Sequence, residues 1–153
     1  MNRKVRADLV PLFDRLASVD LGAADGVLLD AEGLRNSLAL DLYRLLSTRN
    51  GCTIDRFLRA ELSVADYGLP DVSALWPSSK IDRDLMAEVV QVALAAFEPR
   101  LRHVLVKVLD DPRQPTRVFI SLAAVALLNE QPRRVQFDMA IDARTGQAEV
   151  NAT

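Results

Sequence analysis

The sequence predicts an α+β fold in which N-terminal helices are followed by a small antiparallel sheet, with a long central helix packed on one face. Two observations carry this. Ile81–Leu101 places apolar residues at a helical period as far as Phe97, and beyond Arg100 the period changes from 3.6 to 2. Segments before this pivot are polar, turn-rich or helical, and nearly everything after it alternates as strands do. With 153 residues, half of them hydrophobic, the chain is long enough to bury a core and fits one domain. Residues 1–33 read as an amphipathic segment and connector, and 34–153 as the single domain.

In the first segment Val5, Leu9, Leu12, Phe13 and Leu16 fall at helical spacing, interrupted by Pro11. From Val19 to Gly33 glycines and aspartates predominate, so this stretch connects rather than packs. Leu34–Arg49 is a helix with Leu34, Leu38, Leu42, Leu45 and Leu46 on one stripe, and Asn50-Gly51 is expected to stop it through a left-handed backbone. A further helical turn is expected within Arg56–Leu62. Tyr67-Gly68-Leu69-Pro70-Asp71 is a shaped loop, because Gly68 permits a sharp turn and Pro70 drives Leu69 extended.

Ser79 or Asp82 caps the central helix, whose stripe is expected to hold Ile81, Leu85, Val89, Val92, Ala93, Ala96 and Phe97, widened by Met86, Val90 and Leu94. Pro99 ends the helix near Phe97. Val104, Val106 and Val108 then alternate in a strand closed by Asp110-Asp111-Pro112, and Arg117–Asn129 is apolar on both faces, read as a central strand with room for a bulge in preference to the alternative, a helix. Val135, Phe137, Met139 and Ile141 mark a half-buried strand. Asp142–Gly146 is a hairpin loop with positive φ at Gly146, and Gln147–Asn151 returns as an edge strand.

Composition excludes several function classes. A net charge of −2 and a pI near 5.4 provide no basic field for nucleic acid or an anionic membrane surface. One cysteine, Cys52, cannot form an internal disulfide, and with one histidine there is no zinc-type cluster, so no cofactor or metal is expected and a reducing cytoplasm is the natural compartment. Asp8, Pro11, Asp14 and Arg15 interrupt what a secretion signal would need as an apolar core, and no run reaches the roughly 18–20 apolar residues of a membrane span. His103 has no nucleophile or carboxylate at motif spacing. Ser47, Ser78 and Ser121 lack a nucleophile elbow, and no phosphate-binding glycine fingerprint is present. Carboxylates are abundant, but no spacing enforces the ~5–9.5 Å pair of a glycosidase.

Taken together, Leu12–Leu16 (LFDRL), the Leu34–Arg49 helix ending in LLSTR, Tyr67–Asp71 (YGLPD), Phe97–Leu101 (FEPRL) and the Thr145-Gly146 hairpin resemble the TssE family of type VI secretion baseplate subunits. More distantly they resemble the lysozyme-like wedge subunits of contractile phage tails. The resemblance covers most of the chain, although the Val19–Gly33 connector and Trp76-Pro77 depart from it. It implies a non-enzymatic adaptor in a cytoplasmic baseplate near the inner membrane. The implied neighbours are the wedge subunits TssF and TssG, with TssK a further candidate, and the sheath proteins TssB and TssC, joined by strand addition. It also implies that Glu98, Pro99 and Arg100, the family's signature, contact a partner; on an extended segment, as expected here, Glu98 and Arg100 stand side by side on one face, and their alternative use is to tie down their own helix end. A muramidase-like hydrolase and a freestanding protein-binding module are the competing readings.

Overall fold

The computed structural model describes residues 8–9, 28–29, 31–128, 130–142 and 144–152. Asp8–Leu9 (β1), inside the stretch expected to be helical, is strand paired antiparallel with Leu28–Leu29 (β2), and the rest of the Val5–Leu16 expectation lies outside the described residues. Helices follow at Ala31–Ser47 (α1), Ile54–Arg59 (α2) and Lys80–Phe97 (α3), with a single 3-10 turn at Val64–Asp66. The chain then forms a four-stranded antiparallel meander: Leu101–Leu109 (β3), Arg117–Leu128 (β4), Gln131–Asp142 (β5) and Ala148–Ala152 (β6).

Both long helices lie on the same face of the sheet, α3 over β3 and α1 over β5 and β6. All five leucines predicted on α1 are buried. At roughly 1.5–3 kcal/mol for each fully buried aliphatic side chain, that stripe is a principal tie between α1 and the sheet. The strands answer with Val118, Ile120 and Leu122 from β4 and Val135, Phe137, Met139 and Ile141 from β5, every second residue, as the pleat requires. On α3 the buried residues are Met86, Val89, Val90, Ala93 and Leu94. Ile81 and Ala96, expected on that stripe, are exposed, Ile81 by 79%. At 100° per residue they lie well off the direction set by 86, 90, 93 and 97, so the sequence pattern had merged two neighbouring stripes.

Local signals explain the boundaries. Ser79 caps α3, its Oγ accepting from the Asp82 N–H at 3.4 Å, while Asp82 accepts from the Trp76 N–H at 2.9 Å. Asn50 and Gly51 do not adopt positive φ. Asn50 acts instead through its side chain, Nδ2 donating to the Asp66 and Gly68 carbonyls and Oδ1 accepting from the Cys52 N–H. The bulge lies in β3 rather than β4. His103 (φ 52°) and Val104 together face Ala124, and this extra residue lets Leu101 and Val106 both point into the core.

Candidate functional site

Glu98-Pro99-Arg100 is a turn rather than an extended segment. The Leu101 N–H donates to the Glu98 carbonyl at 3.1 Å, with Pro99 at the second position, where its fixed φ is favoured. The turn brings residues 98 and 100 onto each other. Arg100 Nε donates to Glu98 Oε1 and Nη2 to Oε2, both at 2.7 Å, a bidentate pair, and the Arg100 N–H adds a bond to Oε1 at 3.3 Å. Glu98 is only 5% exposed.

The same guanidinium reaches α1, where Nη2 donates to Asp41 and Nη1 to Ser37 Oγ at 3.1 Å. Asp41 accepts in turn from Arg44 at 2.9 Å. Four of the five guanidinium N–H groups are thus engaged, and the fifth, on Nη1, has no partner among the described residues. Burial alone would lower the Arg100 pKa, but the Glu98 and Asp41 carboxylates outweigh it and hold the pKa above the usual value. What solvent meets at this tip is Pro99, part of Asp41 and the outer quarter of Arg100, whose side chain is 28% exposed.

The shaped loop stands beside the tip. The Tyr67 ring meets Phe97 edge-on, with centroids 5.4 Å apart and planes at 66°. Burial, and then the Asp41 charge, push the Tyr67 phenol up. Leu69 is buried and forms a parallel bridge with Arg49, its N–H donating to the Thr48 carbonyl and its carbonyl accepting from the Asn50 N–H, each at 2.9 Å. Gly68 is obligatory here: its φ is 108°, and a Cβ would lie 2.6 Å from the Thr48 carbonyl oxygen. Pro70 is buried, and Asp71 is exposed, its carboxyl held below the usual range first by the Ser73 N–H. Arg49 then joins this loop to the β5–β6 hairpin, Nη1 donating to the Leu46 carbonyl and Nη2 to that of Gly146, whose φ is 71°.

The two candidate segments therefore converge on one corner, and sequence reasoning missed what holds them there: Ser37, Asp41 and Arg44 on α1. The available signal was a serine and an aspartate four residues apart along the leucine stripe, placing both on one side of the helix. The arrangement is a clamp. It offers hydrogen-bonding and apolar contact to a partner, and the space between Asp41 and Glu98 that a glycosidic bond would need is filled by Arg100. Among the described residues no group of three or more His, Cys, Asp or Glu could hold a metal, and no helix is long and apolar enough to cross a membrane.

The family model for baseplate wedge protein gp25 matches residues 32–140 of this chain. The chain belongs to the gp25 family. That span runs from the first turn of α1 to within two residues of the end of β5, so it contains the shaped loop, α3, the clamp and most of the sheet. The family resemblance expected from the sequence is borne out. No curated protein sequence matches the chain. Among solved structures, a chain of the baseplate complex from the type VI secretion system is similar, with 21% identity and a TM-score of 0.51. That match covers 70% of this chain and 93% of the other. At this identity the likeness speaks for the gp25 fold, which agrees with the meander and overlying helices described above.

Proposed function

We propose that this gp25-family chain is a structural, non-enzymatic adaptor of a type VI secretion baseplate, joining the wedge to the contractile sheath and helping sheath polymerisation begin. The observation that carries the reading is the family match across nearly all of α1 and the whole of α3 and the clamp, supported by the fold likeness to a baseplate chain. In this reading the 98–100 turn, together with Tyr67–Asp71, is the corner that meets TssF and TssG, with TssK a further neighbour. Pro99 and the free Arg100 N–H make the contact, while Glu98 and Asp41 hold the guanidinium in place. The sheath strand from TssB or TssC pairs along β5. There β6 covers only Phe137–Ile141, so Gln131–Gln136 have no strand on that side among the described residues. The other edge suits addition less well, since the bulge at His103 distorts β3 and Gln91 Nε2 already donates to the Val104 carbonyl.

Co-purification with TssF, TssG and the sheath proteins tests this reading. Wild-type chain is expected to co-purify. Pro99→Asp, which leaves every clamp bond in place, is expected to reduce wedge recovery at least tenfold with an unchanged circular dichroism spectrum. Wedge recovery undiminished by Pro99→Asp would remove the tip from the interface. A wild-type chain that ignores these subunits and stays monomeric would favour a freestanding binding module, and turbidity clearing of cell-wall material lost with one carboxylate would favour a hydrolase.

A further inference from the structure

In an antiparallel sheet covered on one face, outward positions are ordinarily polar. β4 does not follow this rule: its outward residues are Phe119, Ser121, Ala123, Val125 and Leu127. Its neighbour β3 adds Leu105 and Leu109, 55% and 53% exposed. Both α1 and α3 lie on the opposite face, so β4 has the composition of a strand buried on two sides and, among the described residues, is covered on one.

The shape of the uncovered region selects its occupant. Beside Leu105 and Leu109 the apolar strip is two strands wide, about 10 Å, which is the width of one helix with its side chains, and toward Val125 and Leu127 it narrows to β4 alone. It stops at β5, whose outward residues here are Arg134, Gln136 and Asp138. Farther on, Ala140 is already buried, and Arg117, opposite its neighbour Asp142, bridges to Glu149 at 2.6 Å. A second sheet laid face to face would have to bury that polar half, whereas a single helix would not. Lys107, between the two leucines, lies on an edge strand and can carry its ammonium past the edge while its stem stays on the strip.

The ends of the strip differ in charge. Arg102 and Arg134 flank Val125 at one end, where a groove is lined by His103, Leu105 and Arg134. Asp110 and Asp111 lie at the other end, lining a second groove with Leu109, Phe119 and Asp138, and Asp110 is also 3.5 Å from Arg83.

We infer that this face docks one amphipathic helix of a partner protein, acidic at one end and basic at the other. From Phe119 to Leu127 the strip is about 27 Å long, which corresponds to about 18 helical residues. The inference stands apart from the adaptor reading, because it rests on the sheet alone.

The test uses the full chain and three synthetic 18-residue peptides sharing a Leu/Ala face at i, i+3, i+4 and i+7 spacing. One carries glutamates in its first turn and lysines in its last, one carries lysines at both ends, and one carries glutamates at both ends. The bipolar peptide is expected to bind at least tenfold tighter than either other, read by fluorescence anisotropy. Val125→Glu and Leu105→Glu are each expected to weaken it at least tenfold, and Arg134→Glu to erase its advantage over the lysine-ended peptide. Leu105 is exposed, so its variant keeps the test valid even if Val125→Glu misfolds. Equal binding of the three peptides, no binding, or binding indifferent to Leu105→Glu overturns the inference. So does sedimentation showing that the chain alone dimerises through this face and loses the dimer with Leu105→Glu, since the occupant would then be a second copy.

Discussion

Among the described residues two arginines pair with buried carboxylates, and their surroundings assign them different weight. Arg100 holds Glu98 bidentately and also holds Asp41, joining the end of α3 to α1. Arg56 reaches Asp66 at 3.2 Å from a side chain that is 60% exposed. Both carboxylates are buried. Asp66, however, already accepts from the Ser63 N–H at 2.9 Å, the Ser63 hydroxyl at 3.0 Å and the Cys52 thiol at 3.3 Å. Chiefly the Ser63 N–H, then that thiol, hold the Asp66 carboxyl below its usual range, and Arg56 contributes least. Glu98 receives one N–H from the Arg100 backbone and otherwise depends on the Arg100 guanidinium. A buried carboxylate with several neutral donors tolerates loss of its cation; one that depends mainly on the guanidinium itself does not.

The largest effect expected from this contrast is at the clamp. Arg100→Ala strands Glu98 in the interior and frees α1 from the tip, so it should cost about 3–5 kcal/mol in urea unfolding. A cost near that of an exposed ion pair would show that Glu98 finds other donors and would collapse the distinction. It follows that loss of assembly in Arg100→Ala does not by itself locate an interface.

A smaller effect is expected at Asp66. Its folded-state pKa is depressed, so its stabilising contribution is present above the unfolded value near ~3.9 and is lost as pH falls through the folded value. Asp66→Asn should therefore be less stable than wild type at pH 7, with the gap narrowing below about pH 4, as followed by unfolding midpoints across that range. A gap that does not change with pH would mean that the carboxyl acts through shape rather than charge. The smallest effect is at Arg56. Arg56→Ala should cost under about 1 kcal/mol and fade further in high salt. A cost as large as that of Arg100→Ala would show that the donors from Ser63 and Cys52 are not sufficient.

How much of this was legible beforehand depended on sequence range. The α1 leucines, the stop before Pro99, the glycine at 68 and the period change after Arg100 are set by neighbours within a few positions, and each was readable. The docking of Arg100 on Ser37 and Asp41 spans 63 and 59 positions, and the spacing of the serine and aspartate on α1 does not say which cation they meet. The turn at 98–101 was also misjudged, because Pro99 restricts its neighbours without deciding between an extended strand and a turn. Ile81 and Ala96 were assigned to the core because an apolar residue bound for a partner or for solvent carries the same pattern as one bound for the interior.

The extra residue at His103 has a further consequence for the corner two positions before it. A strand transmits orientation in steps of half a turn, and the bulge is one added step between the ladder proper and Leu101. Without it, Leu101 would turn to the outer face while Val106 kept the core, and the turn that precedes Leu101 would present Glu98 and Arg100 away from α1. The aim of the clamp is thus a matter of parity: an even count of residues between Leu101 and the core valines would put them on opposite faces, so the bulge is required, and the bulge keeps Arg100 over Asp41.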